Sequence, residues 1–145
     1  MAYFDSSAVS KLYLDEPGSA AVQQTLASCD RAICSRLAEV EVPSAIWRAQ
    51  RNQRVLESQA DLLTSKFRTE FGSLFDLIGI TTGVLSKAVE LLRRHPLAAY
   101  DAVHLASALL VRERVGEPML FVVLDRRLAA AARAEGFTVP DIPSA

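Results

Sequence analysis

Four carboxylates occupy positions where the chain is otherwise apolar. Asp5 follows Ala2-Tyr3-Phe4, Glu41 falls among apolar residues at helical spacing, Asp101 precedes Ala102-Val103, and Asp125 follows Leu120-Phe121-Val122-Val123-Leu124. Oxygen-only ligands select hard cations, and Mg2+ (or Mn2+) is held by a few carboxylates while keeping several of its waters. Brought together, these side chains suit a metal-assisted in-line displacement, in which one carboxylate-held ion activates water and another offsets charge on the leaving oxygen. Phosphodiester hydrolysis is the reaction that arrangement fits. Each aspartate alone has a simpler role, because aspartate at the start of a helix accepts a backbone N–H and stabilises the helix by about 1 kcal/mol. Glu41 has no such explanation if it lies within an apolar stripe, where an uncompensated charge costs several kcal/mol.

The elements that must position these groups follow from periodicity. Ala2 to Phe4 reads as a short buried strand; Val9, Leu12 and Tyr13 then recur at helical spacing until Glu16-Pro17-Gly18 interrupts them. Ser19 caps a second helix, Arg31 to Cys34 is the next strand, and Ser35 opens a third helix. In that helix Leu37, Glu41 and Ala45 share a face beside Val40, whereas Glu39 points about 200° away from Glu41. Pro43 removes one hydrogen bond from this helix and bends it without ending it before Trp47. Leu56, Ala60, Leu63, Phe67 and Phe71 define a fourth helix, which pairs with the third as a hairpin arm. Leu74 to Ile80 reads as a central strand, followed by a helix that His95-Pro96 stops. A helix from Ala99 to Arg114 is apolar nearly all round and must be buried. Leu120 to Leu124 is a further strand, Arg126 to Glu135 a last helix, and Phe137 to Val139 an edge strand. Strands alternating with helices define an α/β fold whose largely parallel sheet carries helices on both faces. In such sheets ligands bind beyond the carboxyl ends of the strands, and three of the four acids fall at a junction where an apolar segment gives way to a helix.

A length of 145 residues suits one domain spanning 1–145, with no internal repeat or linker. The formal charge of -1 offers no global attraction to nucleic acid, although the rest of the chain carries +3 once the four acids are set aside. Half of the residues are hydrophobic, a surplus that points to a partner or a dimer. Neither a secretory signal nor a membrane-length apolar run is apparent, so the expected location is the cytoplasm, with no membrane association. Cys29 and Cys34 lack the companions of a zinc site and read as reduced core residues.

Other polar residues have weaker claims. His104, three residues after Asp101, is within reach of a ligand or base role, but a hydrogen-bonded structural histidine is the commoner case. His95 reads as a helix-end residue favoured by the dipole. Arg48, Arg51 and Arg54 recur every three residues and Arg126-Arg127 follow Asp125; both sets are able to meet phosphates, against the plainer reading of a solvated face. Arg126 has the better claim to an RNA-phosphate contact, being next to Asp125. Trp47, Leu12 and Tyr13 suit either the lining of a groove for a partner segment or, as is commoner for such residues at helical spacing, the core; no binding groove is assigned.

The chain resembles the PIN-domain ribonucleases, most closely the toxin subunits of VapBC-type toxin–antitoxin pairs. The resemblance spans almost the whole chain. Its specific stretches are Tyr3 to Val9 with Lys11-Leu12-Tyr13, Ser35-Arg36-Leu37 leading to Glu41-Val42 and Ala45 to Arg48, Tyr100 to Ala106, and Asp125 to Leu128. It implies a PIN-like three-layer α/β/α sandwich of four or five strands with a helical hairpin arm. It further implies a Mg2+- or Mn2+-dependent endoribonuclease acting as a toxin, with Asp5, Glu41, Asp101 and Asp125 on the family's acidic positions and Ser7 on a hydroxyl position that supports the first aspartate. A cognate antitoxin, an RNA substrate and a homodimer are the implied partners. The chain departs from many relatives at Val123, where they carry threonine or serine.

Three other readings remain. A phospho-accepting receiver places acids at strand ends, but requires an adjacent acidic pair after its first strand and a late lysine; Phe4-Asp5-Ser6 has one acid and no lysine follows Lys87. A catalytically silent RNA-binding PIN-like module would retain metal binding without cleavage. A DNA-directed metal nuclease is a third alternative, which the short chain disfavours.

Overall fold

Strand alternation divides the interior into two layers. The computed structural model describes residues 1–143, so the last two residues of the expected 1–145 domain lie outside the described region. Four strands, β1 (Ala2–Phe4), β2 (Ala32–Ser35), β3 (Asp76–Ile78) and β4 (Leu120–Val122), form a wholly parallel sheet in the order β3-β2-β1-β4. Because successive side chains point to opposite faces, Ala2 and Phe4 pack in one core with Ala32, Cys34 and Val122, whereas Tyr3, Ile33 and Phe121 pack in the other. Burial on both faces explains why β1, β2 and β4 read as continuous apolar runs rather than alternating ones.

The first core is closed by α1 (Ser6–Ser10), α2 (Ser19–Ser28), α3 (Ala38–Arg51) and α4 (Glu57–Leu74). The second is closed by α5 (Thr82–Arg94), α6 (Ala99–Val115) and α7 (Arg126–Ala134). The result is the three-layer α/β/α sandwich. In α6 the buried positions run almost continuously from Ala102 to Leu109, as the all-round apolar pattern requires, and Gly116 ends the helix in the left-handed conformation that favours glycine. α3 and α4 pack together as the hairpin, and Pro43 leaves α3 unbroken to Arg51. Gly18 starts α2 at a positive φ of 94°, and a Cβ there would lie 2.5 Å from the Pro143 carbonyl oxygen, so the C-terminal segment rests directly on this turn.

Three expectations change in detail. β3 is an edge strand rather than a central one: the chain steps outward from β1 to β2 to β3 and then returns to place β4 beside β1. Asp76 is accordingly exposed and pairs with Arg31 at 2.8 Å. Phe137 to Val139 forms only an isolated bridge, Leu120 to Thr138. Ser35 ends β2 instead of opening the third helix; its hydroxyl accepts the Leu37 N–H at 3.1 Å and shapes the turn into α3.

This strand order puts the connections from β1 through β3 on one face and the α5–α6 crossover on the other. The two routes part between β1 and β4, which opens a crevice beyond their carboxyl ends, the usual ligand position in such sheets. Among the described residues no helix is long and apolar enough to cross a membrane.

Candidate active site

Asp5 leaves β1 and caps α1: its Oδ1 accepts from the Ala8 N–H at 3.0 Å and from Ser7 Oγ at 2.6 Å. The residue is only 3% exposed. Burial pushes its carboxyl above the usual range, opposed by His104 and by the donors at Ser7 and Ala8. Ser7 reaches further, because its Oγ also accepts the Leu124 N–H at 3.1 Å. One hydroxyl therefore ties the end of β1 to the loop that carries Asp125.

Asp125 caps α7 in the same manner, accepting from the Leu128 N–H through Oδ1 at 2.9 Å. Val123, two residues earlier, packs in the second core and presents no group to the site. Glu41 lies in the first turn of α3, half-buried, with Oε1 accepting from Ser6 Oγ at 2.5 Å and facing His104 Nε2 at 2.6 Å. The buried stripe of α3 is Ala38, Val42, Ile46 and Ala49, while Val40 is 65% exposed. Glu41 thus flanks the apolar stripe instead of lying within it, and its compensation comes from two side-chain donors.

Asp101 differs from the other three. It sits in the first turn of α6 with no side-chain hydrogen bond from any described residue, and its carboxyl is pushed up to about 6. Burial is the main cause; Asp125, Asp5 and Glu41 add to it, and His104 opposes it.

All four acids line one cleft of about 880 Å3, together with Ser6, Ser7 and His104. Lys11, Arg48 and Arg54 line it too. Lys11 and Arg54 are both taken by Glu16, the former at 2.5 Å, whereas no ion pair to Arg48 is formed among the described residues. Arg126 begins α7 exposed and outside the cleft lining. His104 is 1% exposed, and both ring nitrogens are engaged. No local pattern singles out Ser6, and Arg48 is one of a basic series; only the packing of α1 against α3 brings the first beside Glu41 and the second to the cleft wall. Trp47 and Tyr13 are packed against the first core. Both cysteines are free, Cys34 buried and Cys29 half-buried.

No three His, Cys, Asp or Glu side chains among the described residues lie close enough to form a closed metal cage. The donor chemistry nonetheless fits a hydrated hard cation, which needs only one or two direct carboxylate contacts. Asp5, Glu41 and Asp125 each have one oxygen fixed by protein donors and one without a described partner, and Asp101 has both oxygens free.

Residues 2–139 match the PIN domain family. Ribonuclease VapC45 and Ribonuclease VapC49 of Mycobacterium tuberculosis are each 41% identical to this chain over 141 residues, covering 96% of it and 94% of themselves. Ribonuclease VapC3 of Pyrobaculum aerophilum is 28% identical over 125 residues, covering 86% of this chain and 89% of its own. Among solved structures, FitAcB from Neisseria gonorrhoeae superposes with a TM-score of 0.69 at 14% identity over 97% of both chains. A toxin–antitoxin complex from Klebsiella pneumoniae gives 0.64 at 19% identity, over 89% of this chain and 91% of the other. The fold and the sequence agree, and the chain belongs to the PIN domain family.

Proposed function

We propose that this protein is a Mg2+- or Mn2+-dependent endoribonuclease acting as the toxin of a toxin–antitoxin pair. The observation that carries the reading is the gathering of Asp5, Glu41, Asp101 and Asp125 on one cleft, with Asp101 raised by burial and, to a lesser degree, by the other three. The relatives named as VapC ribonucleases support the chemistry, and the toxin–antitoxin neighbour supports the biological role.

The four acids hold the cation in this scheme, and the bound cation supplies activation of water and neutralisation of charge at the scissile phosphate and the leaving oxygen. The chain's own residues pre-set the acids. Ser7 and the Ala8 N–H orient Asp5, Ser6 orients Glu41, and the Leu128 N–H orients Asp125. Arg48, on the same cleft and without an ion pair among the described residues, offers a phosphate contact; Arg126, exposed at the start of α7, offers a second.

The whole chain acts as a single domain in the cytoplasm. The antitoxin restrains it by covering the acidic cleft. Leu85, Val89 and Leu92 recur on one exposed side of α5 and supply the apolar surface for a homodimer. The test is cleavage of single-stranded RNA by partner-free protein with Mg2+ or Mn2+. Cleavage that EDTA stops and Asp5→Asn or Asp101→Asn abolishes is the expected result; undiminished cleavage by both variants removes the mechanism.

A further inference from the structure

We propose that Tyr3 and His104 form a buried relay that fixes the orientation of Glu41, making His104 a positioning residue of the acidic cleft. The inference rests on the metal-site reading above for its effect on ion binding, but its geometry does not.

The relay crosses the fold. Tyr3 lies in the middle of β1 and is fully buried, and its hydroxyl is 2.9 Å from His104 Nδ1. The other ring nitrogen of His104 is 2.6 Å from Glu41 Oε1 and 2.9 Å from Ser6 Oγ. Glu41 Oε1, a carboxylate oxygen, can only accept, so the ring proton sits on the facing Nε2 and donates to it. Nδ1 is then left to accept the Tyr3 O–H. Ser6 Oγ donates to the same oxygen at 2.5 Å. Two donors on Oε1 set the carboxylate plane and leave Oε2 without a described protein partner.

A general-base role for His104 is incompatible with this arrangement. Its ring is 1% exposed and neither nitrogen has a free lone pair to offer water or substrate. What the ring does is join the centre of β1 to the acid presented by α3, so that strand and helix hold Glu41 in common. Partners that stand behind metal-binding side chains change metal affinity or activity by about 10- to 100-fold when removed.

The experiment uses the full chain and three variants. In His104→Gln the amide N–H stands near the Nε2 position and still donates to Glu41; in His104→Leu the volume is roughly kept and the donor is lost; Tyr3→Phe removes only the hydroxyl. Mn2+ affinity is measured by calorimetry, RNA cleavage in parallel, and the His104 tautomer by 15N NMR in the metal-free protein. The expected result is the Nε2–H tautomer in the unaltered chain. Mn2+ affinity should fall about 10-fold or more in His104→Leu, recover to within about threefold in His104→Gln, and fall severalfold in Tyr3→Phe. A purely packing role would favour leucine over glutamine. The proposal is overturned by an Nδ1–H tautomer, or by wild-type Mn2+ affinity and cleavage in both His104→Leu and Tyr3→Phe. An unaltered chain that shows the Nε2–H tautomer but neither binds Mn2+ nor cleaves RNA overturns the metal-site reading instead, and supports the relay as Glu41's anchor.

Discussion

Two histidine–glutamate pairs of equal length stand in this molecule, and they are used differently. His95 meets Glu135 at 2.6 Å, and His104 meets Glu41 at 2.6 Å. The two carboxylates are similarly covered, at 18% and 23% exposed. Their company separates them. Glu135 also pairs with Arg94 at 3.1 Å, and its own backbone carbonyl accepts from Arg112, whose guanidinium lies over Phe137. That cluster is charge-compensated and ties α5, α6 and α7 together. Glu41 has hydroxyl and imidazole donors but no arginine or lysine partner among the described residues, and three more acids share its cleft. One acid is neutralised by its neighbours, whereas four share a cleft without a lysine or arginine partner among the described residues, the arrangement that the proposed cation would complete.

The largest effect that sharpens this contrast is on catalysis. Asp5→Asn or Asp101→Asn should reduce RNA cleavage by at least about 1,000-fold, in line with the loss of one large transition-state charge contact, with circular dichroism unchanged. Glu135→Gln should leave cleavage within about twofold while lowering stability by about 1 kcal/mol, as expected for a part-exposed cluster. Equal losses of cleavage from both clusters would erase the distinction.

Next in size is the response to metal. An ion that binds the folded chain alone stabilises it by about 2.7 kcal/mol at a hundredfold excess over Kd. Mn2+ should therefore raise the Tm of the unaltered chain by several degrees and that of Glu135→Gln by the same amount, but hardly move Asp101→Asn. A shift that survives in Asp101→Asn would place the ion elsewhere.

The pH dependence in EDTA is smaller and has a definite sign. Asp101 is raised in the folded chain from 3.8 to about 6, so the folded state holds that proton more tightly than the unfolded chain does. Its contribution is fully present below pH 3.8 and is lost as pH rises through about 6. Melting curves between those limits should show the unaltered chain losing stability relative to Asp101→Asn. A parallel pair of profiles would show that neither burial nor the neighbouring acids raise Asp101.

The smallest expected effect concerns the cleft's cations. Arg48→Ala should weaken RNA binding severalfold and reduce the salt slope by about 0.7 for a single-stranded substrate, whereas Arg54→Ala should do less because Glu16 already pairs with Arg54. Filter binding at several salt concentrations distinguishes them.

Much of this was legible in the sequence where the signal is local. Apolar runs at β1 and β4 mark strands buried on both faces, and an acid following each marks the carboxyl end of the sheet. The place of β3 was not legible, because Phe75 and Leu77 look the same in a central strand and in an edge strand packed by α4; the strand order is decided by the return of the chain to β4. Helical spacing separates Glu41 from Glu39, but the core-facing stripe lies one position further on: Val42 and Ile46, not Val40, face the core. His104 and Ser6 are separated by 98 positions and Tyr3 and His104 by 101. No short-range pattern carries such a meeting, which exists only once α6 packs on the face of the sheet that carries Tyr3.

The central claim is that one divalent ion is shared by acids from β1, α3, α6 and the start of α7. Anomalous diffraction from crystals soaked in Mn2+ tests it most directly. The expected result is a peak in the cleft within coordination or single-water distance of Asp5, Glu41, Asp101 and Asp125; an empty cleft at saturating Mn2+, or a peak bound only by acids outside it, would contradict the account.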